Sequence, residues 1–191
     1  MITAQASANE VPWTALIPFL CMGLLLLWQG YMRKHKVHKA HQRAKQKILS
    51  YHDAEKFWDE TVLDQKIEEK FYQIHNAWSD QDIDTLKTCL SPRMLDAFSI
   101  KINWQQYRHE NHVHANIQLL DQKIVESVDK ENNADDYFWV YLEASMSNRI
   151  LNENQEMIQD QDHSITEYWK FIRKGYDIYL DEIRTPDQYM L

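Results

Sequence analysis

Glycine is almost missing from this chain: Gly23, Gly30 and Gly175 are the only three in 191 residues. Phosphate-cradling loops need backbone N–H groups that approach the phosphate without an intervening Cβ, so nucleotide-binding loops of the Walker and dinucleotide types are excluded. Cysteine is as scarce. Cys21 sits in an apolar run and Cys89 far along the chain, which supports neither a disulfide nor a thiolate metal centre. No Ser or Cys stands in a nucleophile signature, and no motif imposes a His–Asp pair. No catalytic residue is therefore assigned, no cofactor or metal is expected, and the chain reads as a non-enzyme. What is present is 44% hydrophobic residues with seven Trp and ten Tyr. That suffices for one packed core, and the length suits one domain with an appendage.

Charge is missing from Val11 to Met32, 22 residues whose centre, Phe19 to Trp28, is strongly apolar. About 20 helical residues span the ~30 Å hydrocarbon layer, so the stretch is expected to be a single transmembrane helix. Trp13 near one end and Trp28 and Tyr31 near the other stand where amphipathic rings favour the headgroup level. A secretory signal would carry positive charge ahead of the apolar run, and residues 1–10 carry none, although Ala6-Ser7-Ala8 resembles the end of a cleavage site from an alternative start. Basic residues follow the stretch and none precedes it. The positive-inside rule thus leaves residues 1–10 as a short extracytoplasmic segment and the rest in the cytoplasm.

Acid is missing from the next segment. Arg33, Lys34, Lys36, Lys39, Arg43, Lys45 and Lys47 give seven cations within 15 residues, with no Gly or Pro, so 33–61 reads as a basic juxtamembrane helix and linker. These seven side chains suit anionic lipid headgroups, at ~1 kcal/mol each near the surface, or serve only to fix topology. His35, His38 and His41 recur every third residue. That spacing drifts around a helix and the flanking Lys charges oppose a cation, so no metal site is assigned; His109, His112 and His114, expected in a helix-to-strand loop, are treated alike. Residues 48–191 hold 14 basic and 28 acidic side chains, about -14, which argues against nucleic-acid binding by this part of the chain.

Leu63, Ile67, Phe71, Ile74 and Trp78 follow at intervals of four, four, three and four, the mark of an amphipathic helix. Ser79 to Asp82 makes a polar turn, a short helix carries Ile83 and Leu86, and Ser91-Pro92 starts a third with an N-cap followed by Pro. Its buried side is Met94, Leu95, Phe98 and Ile102. After Asn111 the period changes to two. A first strand is expected around Gln118 to Val128. Phe138, Val140, Leu142, Ala144 and Met146 alternate with Tyr137, Trp139, Tyr141, Glu143 and Ser145, and Ile165–Arg173 and Tyr176–Ile183 form a hairpin about Lys174-Gly175. The class is α+β, with helices covering one face of a curved antiparallel sheet.

Glu167-Tyr168-Trp169-Lys170-Phe171-Ile172-Arg173, then Leu180-Asp181-Glu182-Ile183, preceded by Phe71, Ala77-Trp78, Asp82, Leu86 and Leu90-Ser91-Pro92, resembles the Tim44-like domain family. The likeness covers about Val62 to Thr185, leaving 186–191 as a tail. It implies a cystatin-like or nuclear-transport-factor-two-like cone: a sheet wrapped around a pocket, attached to the inner membrane as a scaffold linked to protein translocation. The chaperone-recruiting N-terminal region of the mitochondrial relative has no counterpart here, and a membrane helix stands in its place. Expected partners are the lipid bilayer, its anionic headgroups and a protein.

The candidate pocket residues are Trp139, Tyr141, Glu143, Glu167, Trp169 and Phe171. A carboxylate facing aromatic rings there would suit acid–base chemistry or a small-ligand receptor. The competing reading, favoured on frequency, is that Glu143, Glu167, Arg149 and Arg173 pair across the sheet and that the aromatics are core.

Overall fold

The computed structural model describes residues 17–52, 56–130 and 136–189, in two compact units divided between Lys36 and Val37. Residues 1–16, including Trp13 and the first six residues of the expected membrane segment, lie outside the described residues, as does the end of the tail.

Helix α1 runs Ile17–His52, so the basic segment is helical as the absence of Gly and Pro predicts. In the first unit Phe19, Leu20, Met22, Leu24, Leu25, Leu26, Leu27, Trp28 and Tyr31 are all exposed. Among the described residues no helix is long and apolar enough to cross a membrane. The charge-free part of α1, Ile17–Met32, has 16 residues, or ~24 Å against the ~30 Å of a hydrocarbon layer.

The second unit begins inside the expected linker. Val37, Ala44 and Ile48 are buried and Ala40 packs beside them, an apolar stripe at helical spacing hidden among the cations. His41 Nδ1 lies 2.9 Å from the Ile124 carbonyl. A 3-10 turn at Lys56–Trp58 buries Phe57 and Trp58, and the Trp58 indole donates to Asp129 at 3.0 Å.

Helix α2 (Glu60–Ser79), capped by Asp59, buries Leu63, Ile67, Phe71 and Ile74, with Trp78 half-buried at the end of the same stripe. The polar turn carries Gln81 at φ 54 and leads to α3 (Ile83–Lys87), capped by Asp82. Helix α4 (Pro92–Tyr107) starts on the Ser91 cap with Pro at its first turn. Ile102 is buried, and Met94, Leu95 and Phe98 pack against the core.

Strands β1 (Glu110–Val128), β2 (Tyr137–Asn152), β3 (Met157–Lys174) and β4 (Asp177–Arg184) form an antiparallel sheet in the order 1-2-3-4. Phe138, Val140, Leu142, Ala144 and Met146 join Trp169 and Phe171 under the helices, while Trp139, Tyr141 and Tyr168 meet Val37 and Tyr189 on the other face. Leu90 bridges to Leu180: the Ser91 amide donates to the Leu180 carbonyl and the Leu180 amide to that of Cys89.

Two expectations need correction. β1 begins at Glu110 rather than near Gln118, so His112 and His114 are strand residues, not loop. The pairing slips at Ala115/Gln118, Leu119/Asp121 and Ile124/Glu126, and Asn116 sits at φ 53; each slip breaks the two-residue period by which a strand is recognised. β2 and β3 also extend to Asn152 and from Met157, where β3 is exposed up to Ser164 and carries no apolar alternation.

The β3–β4 turn has Gly175 at φ +64, with no atom within 4 Å of the place a β-carbon would take, so only backbone preference opposes a side chain there. Gly175→Ala should lower stability by about 1 kcal/mol, read as a small drop in urea midpoint without a change in slope.

Candidate functional site

Between α2, α4 and the helix-facing side of the sheet lies a cavity of about 300 Å³. Its apolar wall comes from Ile74, Phe98, Met146, Ile165 and Ile183, its aromatic wall from Trp78 and Trp169. The elements that meet there each turn a core-facing stripe inward at the same level.

His75 and His114 lie at the centre. His75 stands three residues before Trp78, which places both on one side of α2. It packs edge-on to Phe71 at 4.5 Å and beside Trp169 at 5.8 Å, between ring centroids. Its Nδ1 is 2.8 Å from the Nδ1 of His114, so one ring donates and the other accepts, a geometry that is lost once both rings are protonated. Burial keeps the pair neutral. Desolvation, then the neighbouring His114, lowers His75 to about 3. Desolvation, then His112 and His163, lowers His114 to about 4. Ser79 fixes the distance between α2 and β1: its hydroxyl donates to the His75 carbonyl at 2.9 Å and accepts from the His114 amide at 2.8 Å. Trp78 stacks on His114 and meets Phe98 edge-on.

Three residues that line this cavity each carry a buried polar atom with no hydrogen-bond partner in the protein: His75 Nε2, Trp78 Nε1 and Asn148 Oδ1.

A second hollow, of about 470 Å³, opens on the opposite sheet face between Glu126, Tyr137, Trp139, Lys170, Glu182, Arg184, Gln188 and Tyr189. Its charges are engaged with one another or with rings. Glu126 accepts from the Tyr137 and Tyr189 hydroxyls at 3.3 and 3.0 Å, Arg184 pairs with Glu182 at 2.7 Å and covers the Trp139 ring, and Lys170 pairs with Asp181 at 3.3 Å and covers Tyr137. Burial, then Glu126, pushes the Tyr189 phenol up.

The residues proposed from sequence are divided between the faces. Glu167 and Trp169 line the helix-side cavity, where the Trp169 indole donates to Glu167 at 2.8 Å, and Phe171 lies in the core on that side. Trp139 belongs to the opposite hollow, Tyr141 is buried on that opposite face, and Glu143 accepts from the Tyr141 hydroxyl. Arg149 pairs across strands with Asp160 at 3.2 Å. Of the basic set, Arg33, Lys34, Lys36, Lys39, Arg43 and Lys47 are exposed, while Lys45 pairs with Glu60 at 2.7 Å. Among the described residues no group of three or more His, Cys, Asp or Glu is placed to hold a metal ion. Sequence reasoning missed His75, Trp78, His114 and Asn148 as a group. The i, i+3 pair on α2 was visible, but its convergence with β1 and β2 was not.

Comparison with known proteins bears on the family. A family model described as the Tim44-like domain matches residues 45–186, beginning within α1 and ahead of the Val62 start expected from sequence. Among solved structures, the intermembrane space region of chloroplast protein ARC6 is similar at 14% identity, with 66% of this chain and 95% of that chain covered and a TM-score of 0.48. A SEC-C motif containing protein from Rhodopseudomonas palustris is similar at 15% identity, covering 57% and 70%, with a TM-score of 0.27. No curated protein matches the chain.

Proposed function

Since this chain belongs to the Tim44-like domain family, we propose that it is a membrane-anchored, non-enzymatic binding or scaffold protein acting in protein translocation or membrane-protein assembly. Residues 11–32 form its single membrane span, the α+β domain stands on the cytoplasmic side of a bacterial inner membrane, and that domain engages a protein partner. The observation that carries the attachment is the outer surface of α1, where nine large apolar side chains from Phe19 to Tyr31 are exposed. Such a surface is stable in lipid and costly in water. The charge-free stretch starts at Val11, ahead of the described helix, and supplies the length that Ile17–Met32 lacks. The exposed cations from Arg33 to Lys47 then meet anionic headgroups.

Deleting residues 11–32 should move the protein from the membrane pellet to the soluble fraction after a high-salt wash; continued pelleting would refute this span as the attachment. Cross-linking of the full chain in native membranes should capture the same protein partner reproducibly, and capture of none would remove the scaffold reading.

A further inference from the structure

The chain itself occupies part of each outermost strand of the sheet. On β1, the amides of His114 and Leu119 donate to the hydroxyls of Ser79 and Tyr72 at 2.8 and 3.3 Å, and the Ile124 carbonyl accepts from His41 Nδ1 at 2.9 Å. On β4, residues 89–91 bridge to Leu180. One further edge has no such cover. β4 pairs with β3 only from Tyr168 onward, whereas β3 begins at Met157. The backbone of residues 157–167 therefore pairs with β2 on one side, and among the described residues its other side has no partner. Those 11 residues make about 36 Å of strand whose alternate amides and carbonyls are open to main-chain pairing. Residues 157–164 are all exposed, the large apolar Met157 and Ile158 among them.

Charge selects what can pair there. Residues 150–167 hold Glu153, Glu156, Asp160, Asp162 and Glu167 and no Lys or Arg. Asp160 and Asp162 lie two apart, hence on one face of β3, the face of Tyr168. Arg149 on β2 offsets Asp160, while Asp162 accepts from the neutral Ser147 hydroxyl at 2.9 Å. A second copy of this stretch laid alongside would set acid against acid. A strand with Lys or Arg at alternate positions meets the same acids favourably.

We propose that residues 157–167 dock an extended segment of a partner protein bearing alternate Lys or Arg, which adds to the sheet beside β3 in line with β4. Main-chain pairing holds the segment, Asp160 and Asp162 set its charge, and its apolar side chains cover Met157 and Ile158. This deepens the scaffold reading and rests on it only for the existence of a protein partner.

The test uses the full chain in nanodiscs of uncharged phosphatidylcholine, which offers a basic peptide no headgroup attraction. The probes are the fluorescent peptide KTVTTKTKTVV, in which antiparallel addition sets the second and third Lys against Asp162 and Asp160, and its counterpart ETVTTETETVV. By anisotropy the Lys peptide should bind about ten-fold or more tightly than the Glu peptide, and Asp160→Asn with Asp162→Asn should weaken it by about five-fold. Hydrogen exchange at the open amides of residues 157–167 should slow when the Lys peptide binds. In the unaltered protein, N-methylation of alternate peptide residues separates strand addition from charge attraction: one alternate set faces β3 and should abolish binding, and the other should leave it intact. No binding of the Lys peptide, equal binding of the two peptides, unchanged affinity in the Asn variant, binding without slowed exchange in 157–167, or loss with both or neither methylated set would overturn the proposal. A partner captured by cross-linking while the peptide protects no edge amide overturns this inference and leaves the scaffold reading standing; edge protection with no captured partner does the reverse.

Discussion

Replacing Asp136 with Ala should lower the unfolding free energy by about 3–5 kcal/mol, the range found when one partner of a buried ion pair is removed. Asp136 is fully buried at the start of β2, and its carboxylate accepts from Arg173 Nη1 at 3.0 Å and from the Lys130 amide at 2.8 Å. Arg173, at the end of β3, also donates from Nε to the Gly175 carbonyl and lies over the Phe57 ring at 4.3 Å. The pair thus joins the β2 entry, the β3–β4 turn and the Lys56–Trp58 turn. Truncating the acid leaves the guanidinium buried without this carboxylate. Yet the Asp136 carboxyl is held above its usual range, because burial outweighs the Lys130 amide and Arg173. Desolvation is therefore not fully offset by the pairing. It follows that Asp136→Leu combined with Arg173→Met should recover most of the loss. Urea unfolding of both single variants and the double variant measures the coupling; additive losses would show that the two side chains act separately.

Acid should destabilise this protein well before its carboxylates protonate. His75 and His114 are held at about 3 and about 4, below the ~6.5 of an unfolded chain. Between these limits the unfolded state binds more protons than the folded one, so stability falls as pH drops through 6.5 and continues to fall toward 4. At pH above 6.5 both states are neutral and the effect vanishes. His75 alone should remove about 2 kcal/mol between pH 7 and pH 5. His112 and His163, which face the pair, add to the His114 share. His75→Asn should roughly halve the slope of unfolding free energy against pH in this window. An unchanged slope would show that the pair does not govern acid sensitivity.

Where a single element carried its own signal, the fold was legible in the sequence. The Leu63 to Trp78 stripe, the Ser91-Pro92 start and the 138–146 alternation each report one segment's exposure to the core, and each is local. Signals that depend on two segments were not legible. The Asp136–Arg173 pair spans 37 residues. His75 and Asn148 belong to elements with other evident duties, and His114 lies where three bulges erase the strand period. The α1 stripe Val37, Ala44, Ile48 is thin enough to vanish among the surrounding cations. The pocket residues chosen for aromatic and acidic character were divided because neighbours along one strand face opposite sides, as Trp169 and Tyr168 do.

The short bridge at Leu90 has a bearing on solubility. β4 is an outermost strand of the sheet, and an outermost strand presents unpaired amides and carbonyls to which another chain can add by main-chain pairing. Residues 89–91 occupy both the amide and the carbonyl of Leu180 at 2.8 and 2.9 Å, and the register slips between Lys170 and Phe171 on the neighbouring strand. The edge is thus blunted in its middle by the chain's own connection between α3 and α4. A sheet guarded in this way resists strand-by-strand growth into fibrils, which matters for any chain concentrated on a surface beside its own copies.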